Sequence, residues 1–172
     1  MSNIFLIGMM GSGKTTTARE LAKLQNLPAI DLDELIQNKT GKTINQIFAE
    51  QGEAAFRNLE HKFLDEIKNN SDLRLQHVVT STGGGTVLTP ANQNLMKLSG
   101  KIIYLKTSFS VLWERVKRSQ TRPLLKTENP EQALQEIFKT RIPIYEKIAN
   151  YTVDTDGKTP KQVAEEIYKI LK

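Results

Sequence analysis

The chain has 172 residues, a formal net charge of +5, and ordinary hydrophobic (38%) and charged (25%) shares, which suit one globular domain with a real core. It contains no cysteine, which excludes disulfides, thiolate metal sites and cysteine nucleophiles. No run approaches the ~20 apolar residues of a membrane helix, and the N-terminus carries no targeting pattern, so a cytoplasmic location is expected.

Asn3 to Ile7 is a short apolar run that reads as a buried strand. It leads into Gly8-Met9-Met10-Gly11-Ser12-Gly13-Lys14-Thr15, a complete G-x-x-x-x-G-K-[ST] phosphate loop. Gly8 and Gly13 permit a tight turn whose backbone N–H groups face phosphate oxygens. Lys14 would place its charge at the β/γ-phosphates, and the Thr15 hydroxyl can ligate Mg²⁺. The next segment has apolar positions at Ala18, Leu21, Ala22 and Leu24 and reads as a helix, whose positive dipole end adds to the anion site.

Pro28 to Asp33 looks like a short strand ending in two acids. Asp31 and Asp33 could serve Mg²⁺ and an acceptor hydroxyl, or one of them could simply cap a helix over 34–38. Thr43-Ile44-Asn45-Gln46 is a capping box opening a helix that ends near Gly52. Phe56, Leu59, Phe63, Leu64 and Ile67 form the apolar stripe of another helix. Arg57 and Glu60 sit beside it at i, i+3, either as a surface ion pair or as a guanidinium held for a substrate carboxylate.

Val78 to Ser81 is a β-branched strand that runs into Gly83-Gly84-Gly85, where close approach of backbone to a ligand is expected. Helices follow at Thr89-Pro90, Ser108 to Arg118 and Asn129 to Ala149, and another is capped by Thr159-Pro160-Lys161-Gln162. Strands are expected at 101–105 and 151–154. The segment 119–129 reads as a charged loop in which Arg122 suggests a lid. Pro143 should kink or break its helix and turn Arg141 toward the cleft. Trp113, His61 and His77 read as structural.

Alternating strands and helices argue an α/β fold with a parallel sheet and ligands at one edge. From Lys101 to Lys126 there are seven basic residues against one acid, Glu114, and only 6% of the chain is aromatic. Stacking platforms for bases are therefore scarce, and small anions are favoured over nucleic acid as partners.

Together, the phosphate loop, Asp31-Leu32-Asp33, Phe56-Arg57-Asn58-Leu59-Glu60, Gly83-Gly84-Gly85, Arg122-Pro123-Leu124-Leu125 and Arg141-Ile142-Pro143-Ile144-Tyr145 resemble the shikimate kinase family over essentially the whole chain. The resemblance implies a P-loop NTPase of nucleoside-monophosphate-kinase-like fold, with a five-stranded parallel sheet flanked by helices and a mobile lid. It implies a single kinase domain over 1–172, a substrate region at about 31–62 and a lid at about 115–130. The activity implied is ATP-dependent phosphorylation of the shikimate 3-hydroxyl by a cytoplasmic monomer, with no nucleic acid or membrane partner. Lys14, Asp33 and Arg122 would be catalytic, with Asp33 as base. Gly11, Ser12, Gly13, Lys14, Thr15, Thr16, Arg115, Arg122 and Lys158 would bind nucleotide. Asp33, Arg57, Gly83, Gly84, Gly85 and Arg141 would bind shikimate. Thr15, and Asp31 through water, would serve Mg²⁺. Thr82 departs from the apolar residue expected before the glycines.

Overall fold

The computed structural model describes residues 2–69, 77–118, 123–125 and 127–172. Strands β1 (Asn3–Ile7), β2 (Ala29–Asp31), β3 (Val79–Ser81), β4 (Gly100–Lys106) and β5 (Tyr151–Asp154) form one sheet in the order β2-β3-β1-β4-β5. Every pairing is parallel. Around the sheet lie helices α1 (Lys14–Gln25), α2 (Leu32–Thr40), α3 (Ile44–Asn69), α4 (Pro90–Ser99), α5 (Phe109–Val116), α6 (Pro130–Ile148) and α7 (Pro160–Ile170). No helix among the described residues is long and apolar enough to cross a membrane.

Side-chain alternation divides the core between the two faces of the sheet. Ile4 and Leu6 of β1 and Ile103 and Leu105 of β4 pack with α1 and α7. Phe5, Ile7, Ile102 and Tyr104 point the other way, into the larger core with α2, α3, α5 and α6. All five residues of β1 are buried, as a central parallel strand requires. Its neighbours are β3 on one side and β4 on the other, so the chain changes direction across the sheet here. The crevice at such a switch point is where open α/β sheets hold ligands. The loop after β1 opens into it.

Two expectations change on folding. The second strand ends at Asp31, not Asp33. Asp31 caps α2, accepting from the N–H groups of Asp33 and Glu34 at 3.0 and 3.1 Å, so Asp33 stands in the first helical turn. The capping-box helix does end at Gly52, as expected: that residue is non-helical, with φ 81° and ψ 173°, and the two helical halves of α3 meet there across a kink. Pro143 does not end α6, which continues to Ile148. Arg141 turns inward because it shares the buried stripe of α6 with Leu134, Tyr145 and Ile148.

Helix α7 backs α1 and so supports the phosphate loop. Its capping box is formed, with the Thr159 hydroxyl accepting from Gln162 N at 3.3 Å and Gln162 Oε1 accepting from Thr159 N at 2.8 Å. Thr159→Ala is expected to lower stability by about 1 kcal/mol, measured as a shift in the urea midpoint at unchanged slope. An unchanged midpoint would show the cap to be redundant.

Candidate active site

Three adjoining cavities line the sheet edge where the strands end. The middle one, of about 400 Å³, is floored by the phosphate loop and walled by Asp31, Asp33, Ser81 and Gly83. Gly13 stands at the N-cap of α1 with φ 89°, a left-handed conformation that a side chain would strain. No side chain caps this helix and no acid sits in its first turn, which leaves the N–H groups and the positive dipole end for an anion. The Lys14 ammonium donates to the carbonyls of Gly8 and Met9 at 2.9 and 2.8 Å, curled over the loop it would share with a phosphate.

Asp31 does two things at once. Its Oδ1 caps α2, while Oδ2 accepts from the Thr15 hydroxyl at 2.6 Å. The Ser81 hydroxyl lies 3.4 Å from that of Thr15. A hydroxyl, a carboxylate and a second hydroxyl make an all-oxygen donor set, which suits Mg²⁺. Among the described residues no group of three or more acids or histidines could hold a metal by itself. The set fits a cation that keeps water and substrate phosphate as its other ligands.

The second cavity, of about 440 Å³, shares Asp33, Gly83 and Gly84 with the first. Asp33, Arg57 and Arg141 converge on it from α2, α3 and α6, three elements far apart in the chain. Burial, and then the neighbouring charges of Asp31 and Glu60, push the Asp33 carboxyl up from 3.8 to about 6; Lys14 and Arg57 only partly offset this. Its Oδ1 is buried with no hydrogen-bond partner among the described residues.

Arg57 is held at both edges. Nη1 donates to Glu60 Oε2 at 2.6 Å, and Glu60 is wholly buried. Nη2 and Nε donate to Glu53 Oε1 at 2.8 and 3.3 Å, and Glu53 is half exposed. The Arg57–Glu60 pair is therefore not a surface pair. Burial pushes the Glu60 carboxyl up, while the Arg57 guanidinium and a hydrogen bond from Thr86 pull it back. The guanidinium pKa is also raised: burial lowers it, but Glu60 and then Glu53 together more than compensate. These two shifts favour opposite charge states for Glu60. The geometry decides for the carboxylate, since both of its oxygens already accept a donor.

Two of the three glycines, Gly83 and Gly85, make room for this pair. A Cβ on Gly85 would collide with the Arg57 guanidinium, and one on Gly83 would stand 2.7 Å from Glu60 Oε1. The close approach expected at this loop is thus first of all to the protein's own charged side chains. Tyr145 pins the loop from α6, its hydroxyl donating to Gly84 O at 2.5 Å, and burial pushes its phenol up to about 12. That link joins residues with no sequence signal connecting them.

A third cavity, of about 330 Å³, lies on the far side of the phosphate loop and includes Ser12, Thr16, Arg115 and Lys158. Arg115 donates to Gly11 O at 2.9 Å, and Lys158 pairs with Glu166 at 2.7 Å. Arg122 lies outside the described residues. The part of the expected lid that is described contributes Leu124 to the wall of the second cavity and Leu125 to the core. Thr82 is not free to vary as an apolar position would be, since its hydroxyl donates to Leu6 O at 3.0 Å. His61 meets the buried Asn92 at 2.7 Å, in keeping with a structural role.

A carboxyl whose pKa rises on folding binds its proton more tightly in the folded chain. Stability therefore falls as pH climbs from 3.8 through about 6. Relative to the parent, Asp33→Asn is expected to gain about 2 kcal/mol more stability at pH 8 than at pH 4, read from urea melts at both values. A pH-independent difference would contradict the strained carboxyl.

Comparison with known proteins agrees with this geometry. The shikimate kinase family model matches residues 10–172. The shikimate kinase of Actinobacillus pleuropneumoniae serotype 5b is 43% identical over 169 residues, covering 98% of this chain and 95% of that protein. The structure of the Acinetobacter baumannii shikimate kinase in complex with shikimate superposes with a TM-score of 0.92 at 37% identity, covering 99% and 93% of the two chains. That of Aquifex aeolicus shikimate kinase gives 0.84 at 38% identity, covering 98% and 95%. With the phosphate loop, the paired guanidiniums and the buried aspartate all assembled at one sheet edge, the chain belongs to the shikimate kinase family.

Proposed function

We propose that this protein transfers the γ-phosphoryl group of ATP to the 3-hydroxyl of shikimate, a step of aromatic amino acid biosynthesis. The observation that carries the reading is the meeting of Arg57, Arg141 and Asp33 around one cavity that opens onto the phosphate loop. A small acid bearing hydroxyls matches that set, with guanidiniums for its carboxylate and an aspartate for a hydroxyl.

In this reading the triphosphate lies along Gly11–Thr16, with its base in the cavity beside Arg115 and Lys158. Lys14 leaves the carbonyls of Gly8 and Met9 for the β/γ-phosphates. Arg57 is fixed by the buried Glu60. Its other edge is held only by half-exposed Glu53, an exchangeable contact. The acceptor carboxylate takes that edge, with Arg141 on its other side. Asp33 then meets the acceptor hydroxyl, which supplies the hydrogen bond that Oδ1 lacks, and takes its proton as the oxygen attacks phosphorus. Asp33 is poised for this because its raised pKa makes it a better base than an ordinary aspartate, yet it is still ionised at neutral pH.

Thr15 and Asp31 would hold Mg²⁺, which supplies neutralisation of phosphate charge when bound. The region 31–62 carries the acceptor side. Leu124 supports a role for the segment 115–130 as a cover that excludes water from the reacting phosphate. In this reading the enzyme acts as a monomer. Its positive charge is spent on small anions rather than on nucleic acid.

The test is ADP release with Mg²⁺ and ATP, with shikimate, gluconate or a nucleoside monophosphate as acceptor. Release that depends on shikimate alone is expected, and release with another acceptor instead would discard the pocket reading. A second expectation concerns pH. The kcat/KM for shikimate should climb with pH through about 6 and then level, following the ionisation of Asp33. Asp33→Asn should lose at least about 100-fold in kcat; a variant with near-parental kcat would leave Asp33 with a binding role only.

A further inference from the structure

Glu60 reaches Arg57 with one carboxylate oxygen, and its other oxygen meets the turn after the glycines. There the Thr86 hydroxyl donates to Glu60 Oε1. Thr86 opens a single 3-10 turn (Thr86–Leu88) and is wholly buried, as is Glu60. The turn itself is tied down from two sides. Its backbone closes on the glycine loop, Thr86 N donating to Gly83 O at 3.2 Å and Leu88 N to Gly85 O at 3.0 Å. Helix α4 grips it from below: Asn92 Nδ2 donates to Thr86 O at 3.1 Å and Gln93 Nε2 to Val87 O at 2.8 Å. Asn92 is fully buried and meets His61 Nδ1 at 2.7 Å through its own Oδ1, which brings the network back to α3 one residue beyond Glu60.

A carboxylate facing a guanidinium in a buried site has two ways to sit. It can give one oxygen to the arginine and one to another donor, or turn and give both to the arginine. The second arrangement draws the guanidinium toward Glu60 and away from the cavity. The Thr86 hydroxyl, fixed by a turn that cannot shift without breaking bonds to α4, selects the first.

We propose that Thr86 is a positioning residue for acceptor binding: its buried hydroxyl fixes the orientation of the Glu60 carboxylate and thereby aims Arg57 into the cavity. It touches neither substrate. Its effect is transmitted through Glu60 and falls on the acceptor alone, because the nucleotide side of the site is built from the phosphate loop. The inference rests on the reading of Arg57 as the holder of the acceptor carboxylate.

The test is steady-state kinetics on Thr86→Val, which removes the hydroxyl at nearly constant volume, with Thr86→Ser and Arg57→Ala alongside. Thr86→Val should raise the KM for shikimate about tenfold, while KM for ATP and kcat change less than about twofold. Thr86→Ser, which keeps a hydroxyl, should return the KM to near the parental value. Calorimetric titration of shikimate into folded Thr86→Val and Thr86→Ala should show the same loss in Kd, so the result does not hang on one variant. An unchanged shikimate KM in Thr86→Val, with Arg57→Ala strongly affected, would overturn the role of Thr86 and leave the pocket reading intact. Equal losses for shikimate and ATP, or failure of Thr86→Ser to recover, would reduce Thr86 to a general structural part and also overturn it. A shikimate KM unmoved by Arg57→Ala would overturn both.

Discussion

The acceptor side of this site depends on one buried ion pair. Glu60 lies inside the protein with no access to water, and Arg57 is the cation that makes its charge tolerable there. A lone buried carboxylate would cost several kcal/mol. The pair can exist only because the chain opposite has no side chains. Gly83 and Gly85 come so close to it that a methyl group on either would displace a carboxylate or a guanidinium. The glycines, the helix stripe and the ion pair are therefore a single structural decision made at three places in the chain.

From that decision the electrostatics of the cavity follow. The second cavity holds two guanidiniums, from Arg57 and Arg141, and two carboxyls, from Asp33 and Glu60. Glu60 is spent on Arg57. Asp33 is left with burial and like charges around it, and its proton affinity rises accordingly. The same surroundings that make the aspartate costly to the fold suit it to the base role proposed for it. Two carboxyls in one cavity thus differ through their neighbours: Glu60 is paired with Arg57, while Asp33 Oδ1 has no hydrogen-bond partner among the described residues.

The phosphate side is built on different physics. There the strand β1 delivers a glycine loop to the start of an uncapped helix, whose first backbone N–H groups no side chain caps and which suit an anion. Asp31 shows how economically this side is assembled: one oxygen ends a strand and begins a helix, while the other meets the Thr15 hydroxyl. Capping and cation binding, which look like alternatives for this residue, are compatible because a carboxylate has two oxygens.

Much of this was legible in the sequence, because local rules govern it. The phosphate loop, the alternation of strands with helices, the two capping boxes and the i, i+3 spacing of Arg57 and Glu60 each depend on residues close together in the chain. Periodicity misplaced the end of β2 by two residues because a cap competes with strand extension at Asp31. Pro143 does not break its helix, because the loss of one helical hydrogen bond is outweighed by packing along the buried stripe of α6. What only the tertiary structure decided was burial and convergence. Glu60 is inside rather than on the surface, and Tyr145–Gly84, Thr86–Glu60 and Asn92–His61 are contacts between residues 61, 26 and 31 apart in the chain. A sequence states which charges exist; their proton affinities and partners depend on desolvation and distance, which exist only once the chain has folded.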